Sequence, residues 1–144
     1  MHKNMRDMEQ YNDDKFVVKC VYKGEQSEAI LLFLKPGQEM PSHAHKRFEV
    51  VLLPQKGHGL LTVNGNKVVD LVEDTLYYEP SGCTFLIKNT GDEPLQVLIT
   101  LIRVEQSNPV VPTELIEGGE HLYSTNLPPL SSINLEYQQV SNIY

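Results

Sequence analysis

The sequence has no tryptophan, only two cysteines and no long apolar run, and each scarcity removes a class of protein. Without about 20 consecutive, mostly apolar residues there is no candidate membrane-spanning helix, so no membrane partner is expected. Cys20 and Cys83 stand far apart with no CxxC spacing. They suggest neither a disulfide framework nor a thiolate metal cluster, and a reducing cytoplasm is the expected compartment. Positive charge is also scarce: 12 Lys and Arg stand against 19 Asp and Glu, a formal net charge of -7. No basic block could neutralise a row of phosphates, which argues against nucleic acid as a partner. The opening Met1-His2-Lys3-Asn4-Met5-Arg6-Asp7 lacks the apolar core of a secretory signal. A Gly-rich phosphate loop, a Ser-His-Asp set and a paired-carboxylate motif are missing as well, leaving hydrolase and phosphotransferase readings without support.

What remains is ordinary globular material: 144 residues, 40% hydrophobic and 22% charged, enough for one domain with one core. Residues 1–14 are charged and amide-rich, and read as a flexible arm or an edge-covering segment. From Lys15 to about Val104, short runs of Val, Ile, Leu, Phe and Tyr alternate with Gly, Pro, Asn and Asp. The pattern predicts eight strands: Phe16 to Tyr22, Ala29 to Lys35, Phe48 to Leu53, Leu60 to Val63, Lys67 to Leu71, Thr75 to Tyr78, Cys83 to Lys88 and Leu95 to Val104. Asn64-Gly65 between two of them suits the positive φ angles of a type I′ hairpin turn. Sustained helical periodicity is absent, so an all-β barrel or sandwich with little helix is expected. Residues 105–144 carry four prolines and scattered apolar side chains, and read as an extension packing on the barrel or on a partner subunit.

One constellation stands out, Gly37-Gln38-Glu39-Met40-Pro41-Ser42-His43-Ala44-His45-Lys46-Arg47-Phe48-Glu49. Histidines at i and i+2 on a strand share a face, so His43 and His45 can converge on one ion. Glu49 shares their parity but would lie roughly 20 Å from His43 along a straight strand. A bend at Lys46-Arg47 would return it to the histidines, completing a two-His, one-carboxylate set suited to Fe(II), with Mn(II), Ni(II) and Zn(II) also admissible.

The segment resembles the first motif of the cupin superfamily, with Gly37, His43, His45, Glu49 and Gly57 at its positions and one extra residue before the last glycine. That extra residue falls at Leu53-Pro54-Gln55-Lys56 and suggests a bulge or a lengthened turn. Asp74, Pro80-Ser81-Gly82, Phe85 and Asn89 are similar to the second motif, in the same frame. The resemblance covers roughly Ala29 to Val104 and implies a double-stranded β-helix, or jelly-roll barrel, with the site inside. Two positions depart from it. Asp74 stands where the motif has glycine, tolerable if that turn does not need positive φ. Phe85 stands where it has the fourth metal ligand, a histidine. Cys83, His58, His121 or water are the candidates to replace that ligand, and Phe85 itself would form an apolar wall for a ligand.

Tyr77 is the expected inward residue of the Tyr77-Tyr78 pair, either packing in the core or acting as a proton donor or ligand anchor. Arg103 and Lys35 are candidates to meet an anionic substrate, or are simply solvated. The resemblance implies a metal-dependent enzyme of dioxygenase, isomerase or lyase type acting on a small organic molecule; within that reading the candidate catalytic residues are Glu49 and Tyr77, and the candidate substrate-binding residues are Phe85, Tyr77 and Arg103. The competing reading is a non-catalytic barrel that binds a small molecule or sugar with weak or no metal. A homodimer is expected in either case, since cupins similar to this one commonly pair through their sheets.

Overall fold

The structure, a computed structural model, describes residues 1–104, and the expected C-terminal extension and His121 lie outside them. A short 3-10 helix, Met5–Met8, precedes nine strands: β1 Val17–Lys23, β2 Ser27–Leu34, β3 Glu39–Ala44, β4 Phe48–Lys56, β5 Gly59–Val63, β6 Lys67–Leu71, β7 Tyr77–Glu79, β8 Thr84–Lys88 and β9 Leu95–Arg103. They form a five-stranded sheet, β1-β2-β9-β4-β7, and a four-stranded sheet, β3-β8-β5-β6, with antiparallel pairing throughout. This is the double-stranded β-helix, and the all-β expectation with little helix holds.

Each strand follows from its pattern. In β4, alternation sends Phe48, Val50 and Leu52 into the core and leaves Glu49, Val51 and Leu53 half-buried on the other side. The run Ala29-Ile30-Leu31-Leu32-Phe33-Leu34 in β2 does not alternate, because both of its faces are covered. Ile30, Leu32 and Leu34 face the core, and Leu31 and Phe33 are equally buried on the opposite face.

The N-terminal segment supplies part of that cover. Tyr11 packs edge-on against Phe33 at 5.4 Å between ring centroids, Glu9 pairs with Lys56 at 2.8 Å, and Asp13 pairs with Lys35. Gln38 donates to the Asn12 carbonyl at 2.7 Å. Expected as a flexible arm or an edge cover, residues 1–14 are instead laid against the outer face of the five-stranded sheet. Their polar side chains bond at its margins while the aromatic ring takes the apolar centre. The same contact spends Lys35, which is paired with Asp13 rather than waiting for a substrate anion.

The Asn64-Gly65 turn forms as expected, with φ of 51° and 74° and Asn66 N–H donating to the Val63 carbonyl. A register shift between Pro54 and Lys56 takes up the extra residue of the first motif. Two features correct the sequence reading. Glu39–Ala44, absent from the eight predicted strands, is the edge strand β3; Pro41 obscured it, and an edge is where a sheet accepts proline. The turn at Asp74 does require positive φ, 59°, and aspartate is among the few non-glycine residues that enter that region readily.

Candidate ligand site at the histidine end of the barrel

β3 and β8 are paired so that His43 lies directly opposite Phe85, with their rings 5.7 Å apart. His45 follows the end of β3 and is fixed by its backbone: its N–H donates to the Cys83 carbonyl and its own carbonyl accepts from Gly82. The Pro80-Ser81-Gly82 turn of the second motif therefore holds the second histidine of the first. The two imidazoles approach to 4.5 Å between centroids, and His45 stacks on Phe85 at 4.6 Å with only 10° between the ring planes. His43, His45 and Phe85 thus form one three-ring cluster, and the convergence of the two imidazoles is the part of it that the i, i+2 spacing indicated.

The two histidines differ electrostatically. His43 is half-buried, and its Nδ1 lies 2.8 Å from the Pro41 carbonyl. His45 is 1% exposed, and neither of its ring nitrogens has a hydrogen-bond partner. Burial, with the neighbouring His43 adding to it, lowers the His45 pKa to about 4, so the ring is neutral at physiological pH. A buried polar group left without partners costs on the order of 1–3 kcal/mol. His45 is therefore an open demand on whatever occupies this end of the barrel.

Glu49 does not join them. Strand β4 enters with Phe48 inward, and the period of two then places Val50, not Glu49, in the core. Glu49 lies on the outer face beside Tyr78, whose hydroxyl is pushed up to about 12, first by burial and then by the Glu49 carboxylate. Bending the chain at Lys46-Arg47 does bring β4 back, but one residue out of phase with the expected ligand set.

The other expected residues are also placed. Tyr77 packs on the core as anticipated, yet its hydroxyl donates to the Asp70 carbonyl at 2.6 Å and accepts from Val72 N–H at 3.0 Å. It ties down the β6–β7 turn, which gives it a structural task. Arg103 is buried with its guanidinium 6.0 Å from the Phe48 ring centre, and burial lowers its pKa against the nearby Glu28. Cys83 packs against the core and its sulfur lies 3.8 Å from the Asn64 amide nitrogen. His58 lies beyond the far end of β4, its ring against Gly91.

Two acids at the histidine end were missed. Glu79 is opposite Val50 in register and so shares the core face, pairing with Lys67 at 3.6 Å; buried Glu28 pairs with Lys23 at 3.5 Å. The signal for Glu79 was its parity with inward Tyr77.

A divalent cation held by three or four protein donors does not fit these residues. Among the described residues no group of three or more His, Cys, Asp or Glu side chains converges, and Phe85 stacks against His45 where a further imidazole is expected. The donor set present is two imidazoles.

Residues 30–101 match the model of the cupin domain family, and the chain belongs to that family. Among solved structures it is similar to a protein from Thermus thermophilus, with 22% identity and a TM-score of 0.67, covering 71% of this chain and 96% of that one. It is similar also to an RmlC-like cupin protein from Desulfovibrio desulfuricans, with 23% identity and a TM-score of 0.62 over 71% of this chain and 95% of that one. A predicted oxalate decarboxylase from Thermotoga maritima is 22% identical, with a TM-score of 0.58, over 62% of this chain and 81% of that one. At such identities the likeness shows the fold alone. No curated protein matches the sequence. No helix among the described residues is long and apolar enough to cross a membrane.

Proposed function

We propose that this cupin is a non-catalytic module that binds a small organic molecule at the histidine end of its barrel, without a resident metal. The observation that carries the reading is the stacking of Phe85 on a fully buried, hydrogen-bond-deficient His45. Phenylalanine closes the place of a fourth ligand while the imidazole beside it keeps an unmet need for a polar partner, which a ligand group supplies. With Glu49 turned to the outer face, no carboxylate among the described residues joins the two imidazoles in a group of three.

A second reading is a metal-dependent enzyme in which His43 and His45 hold Fe(II), Mn(II), Ni(II) or Zn(II). It is favoured by the bond from His43 Nδ1 to the Pro41 carbonyl, the kind of outer contact that orients a ligating histidine. In that case the ion would supply Lewis-acid or O₂ chemistry.

Metal analysis of the purified chain, with titration of the four ions, decides between them. The binding module predicts no stoichiometric ion in the native protein, and at least about tenfold tighter binding once Phe85→His restores a third imidazole. Stoichiometric metal in the native protein that disappears in a His43→Ala, His45→Ala double variant overturns the proposal and establishes the second reading.

A further inference from the structure

We propose a second binding site, at the end of β4 away from the histidines: a cleft between the N-terminal segment and the five-stranded sheet that takes a small organic dianion, a phosphate monoester or a dicarboxylate.

The site is built around the one extra residue of the first motif. In β4, Pro54 pairs with Val97 and Lys56 with Gln96, so Gln55 is the residue left without a register partner. A bulge of this kind re-aims a side chain. The Gln55 oxygen accepts from Gln96 Nε2 at 2.7 Å, and its own amide nitrogen donates to the Met5 sulfur at 3.4 Å. Gln96, between the inward Leu95 and Val97, is on the outer face and only 8% exposed. A thioether is a weak acceptor, so the Gln55 amide has donor capacity that the protein does not satisfy. Met5 opens the short 3-10 helix, and the Glu9–Lys56 pair and the Tyr11–Phe33 contact hold the segment that follows it. The cleft is thus formed before any ligand arrives.

Its charge selects the ligand. Lys3, Arg6 and Lys56 line a volume of about 620 Å³ together with a single carboxylate, Glu9. Glu9 is hydrogen-bonded to Lys56 at 2.8 Å, a contact that holds its carboxyl below the usual range, so this pair is ionised and closed on itself. Lys3 and Arg6 have no carboxylate partner among the described residues. Three cations against one carboxylate leave a surplus of two positive charges on a chain whose net charge is -7. The other acids nearby do not line this cleft. Asp7 is on the same 3-10 helix, and Glu73, Asp92 and Glu93 line a neighbouring cleft on the far side of Lys56, where Glu73 accepts from Gly57 N–H at 2.7 Å. They confine an anion to the side of Arg6 and Lys3.

Hydrogen bonding agrees with charge. The Asn4 side-chain oxygen already accepts from Arg6 N–H at 3.0 Å, as the Gln55 oxygen does from Gln96. What the cleft still offers is donors, and phosphate and carboxylate oxygens are the groups that only accept. The Arg6 guanidinium can give such a group two parallel N–H bonds. The volume exceeds that of a bare oxyanion and is in the range of small-molecule sites, and Met5 supplies an apolar surface for a short carbon skeleton.

The test is NMR titration of the full-length 15N-labelled protein with glycerol 3-phosphate and with succinate at constant ionic strength, with sodium chloride and glycerol as references. At least one dianion is expected to give saturable shifts of the Gln55 and Gln96 side-chain amides and of Arg6 Nε–H, which chloride and glycerol leave in place. Saturation by one dianion and not the other assigns the phosphate or the dicarboxylate. Arg6→Gln is expected to weaken binding about tenfold, the loss of one charge-assisted hydrogen bond, with the thermal midpoint unchanged. Lys19→Gln, the same change of charge on β1, is expected to leave the affinity as it is. Absence of saturation with both dianions, equal shifts with chloride, an equal loss in Arg6→Gln and Lys19→Gln, or shifts confined to His43 and His45 overturns the inference.

Discussion

The two ends of the barrel bury polar side chains on opposite terms. At one end Asn89, the last residue of the second motif, is 0% exposed and fully bonded: its amide donates to the carbonyls of Leu34 and Glu93 at 2.9 Å each and its oxygen accepts from Gly91 N–H at 3.0 Å. Its backbone is bonded too, donating to Gln38 and accepting from Gly37. At the other end His45 is almost as buried and bonds through its backbone alone. Burial by itself therefore says little about role. Satisfaction separates a side chain that holds the fold from one that, on the reading proposed above, waits for a ligand.

Breaking the satisfied end has the largest effect. Asn89→Leu leaves two carbonyls and one N–H without their partner, and the unfolding free energy is expected to fall by about 3–5 kcal/mol, read from denaturant midpoints. A loss below about 1 kcal/mol would mean that solvent replaces the amide and that the two ends do not differ in kind.

Acid sharpens the contrast at the other end. His45 has a folded pKa near 4, against about 6.5 for an unfolded histidine, so between those values the unfolded chain holds a proton that the folded one refuses. Stability contributed by the neutral ring is complete above about pH 6.5 and declines as pH falls toward 4. The total is up to about 3 kcal/mol, from about 1.4 kcal/mol for each pH unit that separates the folded and unfolded values. Denaturant unfolding of the native protein and His45→Phe across this range isolates the histidine from the carboxylates. Parallel pH profiles for the two proteins would show that His45 accepts its proton while folded.

At neutral pH the same substitution is expected to act in the opposite direction from Asn89→Leu. Phenylalanine at position 45 keeps a ring against Phe85 and removes two unbonded nitrogens, so His45→Phe is expected to gain about 1–2 kcal/mol while losing the ligand. A loss as large as that of Asn89→Leu would place His45 among the structural residues.

How much of this was readable beforehand follows from which physics is local. The hairpin at Asn64-Gly65, the strand runs and the pairing of His43 with His45 rest on turn chemistry and the period of two, which a sequence carries openly. Glu49 failed for the same reason that the others succeeded. Parity is legible within a strand, but the turn at Lys46-Arg47 resets it, and whether Phe48 or Glu49 enters the core is decided by packing across sheets. The cover that residues 1–14 give Phe33 was likewise a tertiary fact, though the unbroken apolar run of β2 already indicated that something must lie over its outer face. Strand β3 was hidden by Pro41, whose residue type argues against a strand until the strand is known to be an edge.

The smallest expected effect lies on the satisfied side, where one residue is short of its optimum. Asp74 holds φ of 59° so that its N–H can donate to the Pro54 carbonyl at 3.0 Å, in a turn where the family motif has glycine. Glycine would adopt that φ without the steric cost an L side chain bears, but the unfolded chain would gain backbone freedom, and the two terms oppose each other. Aspartate tolerates the region better than most residues, so the relief is modest and Asp74→Gly is expected to stabilise by about 0.5 kcal/mol. Asp74→Ala, which keeps the Cβ but is less tolerant of positive φ than aspartate, is expected to destabilise by about the same amount. The two variants should move the thermal midpoint in opposite directions. If both lower it, the carboxylate itself stabilises the turn, and the asparagine end, too, depends on a side chain the family motif does without.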